Sequence, residues 1–322
     1  MTQAPLLQVK DLVKHYGTPR GRVHAVDHID LDLWPGETLG LVGESGCGKS
    51  TLGRTIICLH EPTSGEILYR GQNIATLTRR ALKPIRRDLQ IVFQDPFASL
   101  NPRRTIRQIL TEPFDVHKLG TKSDRVEMVK ELIARVGLHP SFADRHPHEL
   151  SGGQRQRIAI ARAIALEPSA VVCDEPVSAL DVSVQAQIIN LLQRLQRDMS
   201  ASYIFISHDL SVIGYLADRI AVMYLGQIVE LAPKSVLWSR PLHPYTQALF
   251  SAISLPLPPS VARRDRIVIK GDIPSPINPP SGCRFRGRCP IAQPICAEVA
   301  PPLVDVGVNA KVACHVTTGT AP

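Results

Sequence analysis

Short runs of apolar, β-branched residues recur along the first 240 positions, each stopping at a polar residue before a stretch of helical spacing. Thr38–Val42 runs into Gly43, Leu89–Phe93 into Gln94, Ala170–Cys173 into Asp174 and Glu175, and Tyr203–Ile206 into Ser207 and His208. Strands alternating with helical patterns predict an α/β fold with a parallel sheet. Open parallel sheets bind ligands at the carboxyl ends of their strands, so these four polar termini are expected to share one site.

Residues 7–12 and 28–33, with Gly65–Gly71, read as strands and turns beside that sheet, and residues 125–136 and 154–166 read as helices. Pro102, Pro113, Pro140 and Pro147 fall in the intervening loops, which suits a helical insertion. Between Arg219 and Leu231 two short strands flank Leu225 and Gly226, the pattern of a hairpin. Ile188, Ile189, Leu192 and Leu195 recur at helical spacing and read as packing, as does Cys173 on its apolar strand.

The chain has 322 residues, 44% hydrophobic and 20% charged, enough for one large domain or two smaller ones. Fibrous and wholly disordered classes are excluded. No run approaches the roughly 18 apolar residues of a membrane helix, and the N-terminus lacks a basic region followed by an apolar core. The expectation is a cytosolic chain unless a partner holds it at a membrane. Composition changes near residue 240: 14 of the 27 prolines lie in residues 241–322, with Cys283, Cys289, Cys296 and Cys314. The net charge of +8 is spread over clusters such as Arg79–Arg87, Arg103-Arg104 and Arg284-Arg286-Arg288, which read as solvated surface and not as one nucleic-acid stripe.

Chemistry enters at Gly43-Glu44-Ser45-Gly46-Cys47-Gly48-Lys49-Ser50-Thr51, between a predicted strand and a predicted helix, the context of a phosphate loop. Its glycines let backbone N–H groups converge on phosphate oxygens, Lys49 reaches the β/γ-phosphates and Ser50 offers a hydroxyl to Mg²⁺. Cys47 stands between glycines, where a small side chain suffices. Asp174 can hold Mg²⁺ through water, and Glu175 can polarise an attacking water. Ser151-Gly152-Gly153-Gln154 opens another helix, with Ser151 as its cap, and makes a second anion site. One nucleotide needs one cradle, so the second site is expected to complete the pocket of another subunit, two copies enclosing two ATP.

The four tail cysteines are separated by five, six and seventeen residues, unlike a standard zinc finger. In a reducing compartment four thiolates suit Zn²⁺ or an iron–sulfur cluster better than disulfides.

The phosphate loop, Leu150–Gln154, Asp174-Glu175, Ser178-Ala179-Leu180-Asp181 and His208 resemble the motif set of ABC-type ATP-binding cassettes, in that family's order and spacing. Gln94–Pro102, Pro147-His148-Glu149 and Leu242-His243-Pro244-Tyr245 narrow the resemblance to ATP-binding subunits of oligopeptide/dipeptide importers. The resemblance implies an α/β fold with a parallel core sheet, an antiparallel β subdomain, a helical insertion and a small irregular C-terminal extension. It implies a cassette over residues 6–240, with a helical part at about 100–165, and an importer-type C-terminal region over 241–322.

By the same resemblance Tyr16 stacks on adenine; Gly43, Ser45, Gly46, Cys47, Gly48, Lys49, Ser50 and Thr51 hold the phosphates; and Ser50, Gln94 and Asp174 serve Mg²⁺. Glu175 is the general base, His208 contacts the γ-phosphate, and Ser151, Gly152, Gly153, Gln154 and Asp181 act at the dimer contact. Cys283, Cys289, Cys296 and Cys314 become candidate ligands of a [4Fe–4S] cluster, with Zn²⁺ the alternative. The expected function is ATP hydrolysis powering import of peptides or related small solutes. The expected partners are a second, paralogous cassette, two integral-membrane permease subunits and an extracytoplasmic solute-binding protein, with no nucleic acid. The expected place is peripheral, at the cytoplasmic face of the inner membrane. The alternative is a soluble ABC-type ATPase acting on nucleic acid or ribosomes.

Overall fold

In the computed structural model, which describes residues 4–252 and 267–319, strands Leu7–Thr18 and Gly21–Leu33 pair antiparallel, with Leu7 opposite Leu33. Ser64–Tyr69 pairs with the other edge of Leu7–Thr18, and Gln72–Asn73 closes this four-stranded sheet. Leu7, Val9, Leu12, Val26, Ile29, Leu31 and Leu33 are buried along the two long strands.

These strands belong to the first of two compact units, formed by Met1–Leu33, Thr38–Ala75 and Ser207–Pro322. In the same unit Thr38–Val42, buried along its whole length, runs parallel to Arg219–Tyr224. Arg219–Tyr224 turns back into Gln227–Pro233 through Leu225 and Gly226, whose φ values of 43° and 86° give the paired positive angles of a tight hairpin. The predicted hairpin is therefore present. Lys311–Val312 from the C-terminal extension adds antiparallel to Gln227–Pro233, and Val304–Asp305 adds outside it.

The second unit comprises Trp34–Glu37 and Thr76–Ile206. Its strands Leu89–Val92, Ala170–Asp174 and Ser202–Ile206 are parallel, with Ala170 opposite both Leu89 and Ser202. The two later strands are buried at every position, the signature of a sheet covered on both faces. Helices Ile106–His117, Lys122–Arg135, Gly152–Ile164 and Val182–Met199 accompany them. Ile188, Ile189, Leu192 and Leu195 pack in the last of these helices, as their spacing predicts.

One local expectation is corrected. Pro113 lies inside the helix Ile106–His117, not in a loop. A proline there removes one hydrogen bond and costs about 3 kcal/mol. The Thr105–Gln108 capping box and burial of Ile106, Ile109, Leu110 and Phe114 outweigh that loss.

Candidate functional site

The first unit holds the phosphate loop in the predicted setting, between strand Thr38–Val42 and helix Lys49–Ile56. Gly48 has φ 109°, and a Cβ there would meet the Ala25 carbonyl oxygen at 1.9 Å. A Cβ on Gly43 would meet the Met223 carbonyl oxygen at 2.1 Å, so neighbouring backbone leaves room only for glycine at both positions. No side chain caps the start of this helix, the end to which the helix dipole draws an anion. Lys49 is 4% exposed and donates from Nζ to the carbonyls of Gly43 and Glu44 at 2.8 and 3.0 Å. Ser45 and Gly46 form the exposed rim, with Ser50 and Thr51 half-buried beyond Lys49. Cys47 is buried and its thiol pushed up by burial, in keeping with packing.

Tyr16 lies on Leu7–Thr18 in the same unit. Its hydroxyl hydrogen-bonds His60 Nδ1, and Lys14 Nζ stands 4.9 Å from the centre of its ring. Lys14 is in turn anchored by the Glu61 carbonyl at 2.7 Å. His208 is exposed just past the buried Ser207, whose hydroxyl accepts the Asp209 N–H at 2.9 Å.

The second unit brings Gln94 to Glu175, with Gln94 Nε2 donating to Oε2 at 2.9 Å. Asp174 closes its strand fully buried, and Glu175 follows in the left-handed region at φ 45°, its N–H donating to the Ile206 carbonyl at 3.1 Å. Cys173 is buried with its thiol pushed up by burial, a packing residue. Ser151 caps Gly152–Ile164: its hydroxyl accepts the Gln154 N–H, and Gln154 Oε1 accepts the Ser151 N–H at 3.0 Å. A Cβ on Gly153 would meet Val184 Cγ1 at 2.6 Å, so this glycine also serves the seating of its helix. Asp181 precedes Val182–Met199 without a capping bond from its side chain, leaving its carboxylate uncommitted to that helix.

The four tail cysteines occupy the first unit as free thiols, Cys283 and Cys289 half-buried and Cys296 and Cys314 buried. Burial, joined by the charges of the neighbouring Cys296, Cys289 and Cys314, pushes the Cys283 thiol up to about 11. Among the described residues, the one set of three His, Cys, Asp or Glu ligand atoms lying within 4.8 Å of one another is His15, His24 and Asp27.

Sequence reasoning missed the residues around the phosphate loop. The Glu44 N–H donates to Tyr245 Oη at 2.8 Å, and Arg288 grips the Glu44 carboxylate. Arg284 bonds Asp27 and the Leu225 carbonyl. The reading of Arg284-Arg286-Arg288 as solvated surface is corrected: Arg284 is 8% exposed and the Arg288 side chain 9%, because each guanidinium has found a carboxylate. Their position between Cys283 and Cys289, two of the candidate cluster ligands, was the available signal.

A glycine-built phosphate cradle, a buried Asp at a strand end and a Ser-capped Gly-Gly-Gln helix start on one chain define an ATPase of the ATP-binding cassette class. Sequence comparison agrees: residues 26–178 match the ABC transporter family, and residues 229–296 match the C-terminal region of oligopeptide/dipeptide transporters. The oligopeptide transport ATP-binding protein AppF of Bacillus subtilis (strain 168) is 54% identical, over 97% of this chain and 98% of that one. A putative peptide import ATP-binding protein of Brucella ovis is 51% identical over 98% of both. Among solved structures, the dimeric post-hydrolysis state of the ATP-binding cassette MJ0796 bound to ADP and Pi matches with a TM-score of 0.66 at 30% identity, covering 71% of this chain and 98% of that one. The chain belongs to the ABC transporter family of ATP-binding proteins, in its oligopeptide/dipeptide branch.

Proposed function

We propose that this chain hydrolyses ATP within a pair of cassettes and thereby powers import of peptides, or related small solutes, through membrane permease subunits. The observation that carries the reading is the joining, on one chain, of a glycine-dependent phosphate cradle to the C-terminal region of oligopeptide/dipeptide transporters. Similarity to AppF over nearly the full length of both chains supports peptides as the cargo class. The likeness to a dimeric cassette supports a two-cassette assembly, in which Ser151–Gln154 and Asp181 serve the partner's nucleotide. Among the described residues no helix is long and apolar enough to cross a membrane, so the path for solute is assigned to permease partners fed by an extracytoplasmic binding protein. The chain then works at the cytoplasmic face of the inner membrane. The comparisons give no support to the nucleic-acid alternative.

In this reading Tyr16 stacks on adenine, Gly43–Thr51 bind the phosphates, Glu175 activates water, Gln94 orients it, and His208 contacts the γ-phosphate. Ser50, Gln94 and Asp174 supply the hard oxygen donors that Mg²⁺ takes, and the ion would neutralise charge on the β- and γ-phosphates. We assign residues 6–240 to the cassette and 241–322 to the importer-type extension.

Cys283, Cys289, Cys296 and Cys314 are the residues to hold a [4Fe–4S] cluster. Tetrahedral Zn–S bonds of about 2.3 Å put sulfurs about 3.8 Å apart. No three of the four described thiols lie mutually within 4.8 Å, although Cys283 feels the charge of the other three. A set of four thiolates is the donor set a [4Fe–4S] cluster takes, with Zn²⁺ the alternative. The cluster's contribution would be structural, cross-linking a proline-rich segment.

The test is isolation of the tagged chain from its host. Co-purification with integral-membrane permeases, and loss of peptide uptake in Lys49→Ala, are expected; a particle bound to nucleic acid and free of membrane proteins would overturn the reading. Visible absorption and iron analysis of anaerobically purified protein check the cluster.

A further inference from the structure

Arg288 stands one residue before Cys289 and donates from Nη1 and Nη2 to Oε2 and Oε1 of Glu44 at 2.7 and 3.0 Å. The pair is bidentate and largely shielded, with side-chain exposures of 9% for Arg288 and 24% for Glu44. Glu44 is the second residue of the phosphate loop, and its backbone is fully engaged: the N–H on Tyr245 Oη, the carbonyl on Lys49 Nζ. Its carboxylate is thus held within the loop that receives a polyanionic triphosphate. An uncompensated negative charge there repels the ligand, strongly so where water is thin.

The arginine that meets this charge is itself held in place. Four residues earlier, Arg284 is buried against Asp27 and the Leu225 carbonyl. Between the two arginines Phe285 packs edge-on against Tyr224 at 5.2 Å, and Arg288 Nη1 also reaches Tyr224 Oη at 3.4 Å. The segment from Cys283 to Cys289 is therefore pinned on both sides of Phe285, and the Arg288 fork is preorganised.

We propose that Arg288 is a positioning residue of the nucleotide site: carried by the cysteine-bearing extension, it cancels the charge of Glu44 and so sets the affinity for ATP. The inference rests on the ATP-binding reading above. It gives the extension a role in the catalytic cycle beyond holding itself together, since whatever displaces the Cys283–Cys289 segment uncovers a carboxylate in the phosphate loop.

The test compares trinitrophenyl-ATP binding and steady-state ATPase kinetics for full-length wild type, Arg288→Met, Arg288→Lys, Glu44→Gln and the double variant Glu44→Gln/Arg288→Met. Arg288→Met is expected to weaken ATP binding about tenfold, or about 1.4 kcal/mol, and to raise KM more than it lowers kcat. Arg288→Lys keeps the charge without the fork and is expected to stay within about threefold of wild type. The discriminating member is the double variant. Removing the carboxylate as well is expected to restore binding close to that of Glu44→Gln alone, and the loss in Arg288→Met is expected to shrink at high salt. Equal binding by wild type and Arg288→Met overturns the inference, as does a double variant as weak as Arg288→Met, which would make the arginine a strut and not a charge partner. Failure of wild type to bind the analogue would sink the ATP reading instead.

Discussion

Gln94 donates from Nε2 to Oε2 of Glu175 at 2.9 Å, joining the residues that follow two neighbouring parallel strands. The register explains the meeting. Val92 lies opposite Cys173, so two residues further on Gln94 comes level with Glu175. A carboxylate steadied by a neutral amide remains available as a base. Glu175→Gln is expected to keep ATP binding and to lose turnover by about 100-fold or more, the range over which a positioned general base acts. Nucleotide retention and phosphate release, measured together, check this; turnover near wild type would remove Glu175 from the role.

Two glycines of the phosphate loop separate steric need from conformational need. At Gly46, φ is 79° but nothing lies within 4 Å of where a methyl group would stand, so Gly46→Ala meets only the left-handed penalty of about 1–2 kcal/mol. At Gly48 the same change also drives a methyl to 1.9 Å from the Ala25 carbonyl oxygen. Gly48→Ala is expected to abolish ATP binding and to lower the thermal midpoint by more than Gly46→Ala does. Thermal unfolding and nucleotide binding on the two variants check the order.

What the sequence made legible follows from how local each signal is. Thr38–Val42 and Ala170–Asp174 are short apolar runs with abrupt polar ends, and they are strands because such runs have few other ways to bury themselves. Ser151 caps the helix it was expected to cap, since a capping box needs only four consecutive residues. Pro113 misled because its breaking tendency is local while the burial that overrides it is tertiary. The partners of Glu44 and Asp27 lie 244 and 257 positions away, and no spacing rule links an arginine to a carboxylate over that distance.

Asp27 predicts a pH dependence of stability. Burial disfavours its charge, but Arg284, the hydrogen bond from His15 and the charges of His24 and His15 outweigh burial and hold the carboxyl below its ordinary value. With the folded value below the unfolded one of about 3.9, the stabilisation is present above that pH and is lost as pH falls through the folded value. Asp27→Asn also leaves the buried Arg284 without its counter-charge. The variant is expected to be less stable than wild type by about 2–3 kcal/mol at neutral pH, with the gap closing below about pH 4. Denaturant midpoints measured across pH for both proteins check it, and a gap unchanged at low pH would assign the loss to packing.

The hydrogen bond between Tyr16 and His60 predicts a second and different pH response, this time in nucleotide affinity. Burial, with the charges of Arg54 and Lys14, holds the His60 imidazole below its ordinary value, so it stays a neutral partner for the Tyr16 hydroxyl through neutral pH. Lys14 covers one face of the Tyr16 ring, and the other is the face for adenine in the proposed role. His60→Ala frees the ring to rotate and is expected to raise the KM for ATP about threefold to tenfold while kcat stays within about twofold. His60→Gln, which supplies an acceptor of similar reach, is expected to recover most of that loss. In wild type the KM is expected to be flat from about pH 8 to pH 6.5 and to climb only below it, where protonation of His60 removes the acceptor. Steady-state kinetics across pH on the three proteins check this, and a climb of the same size in His60→Gln would place the titrating group elsewhere.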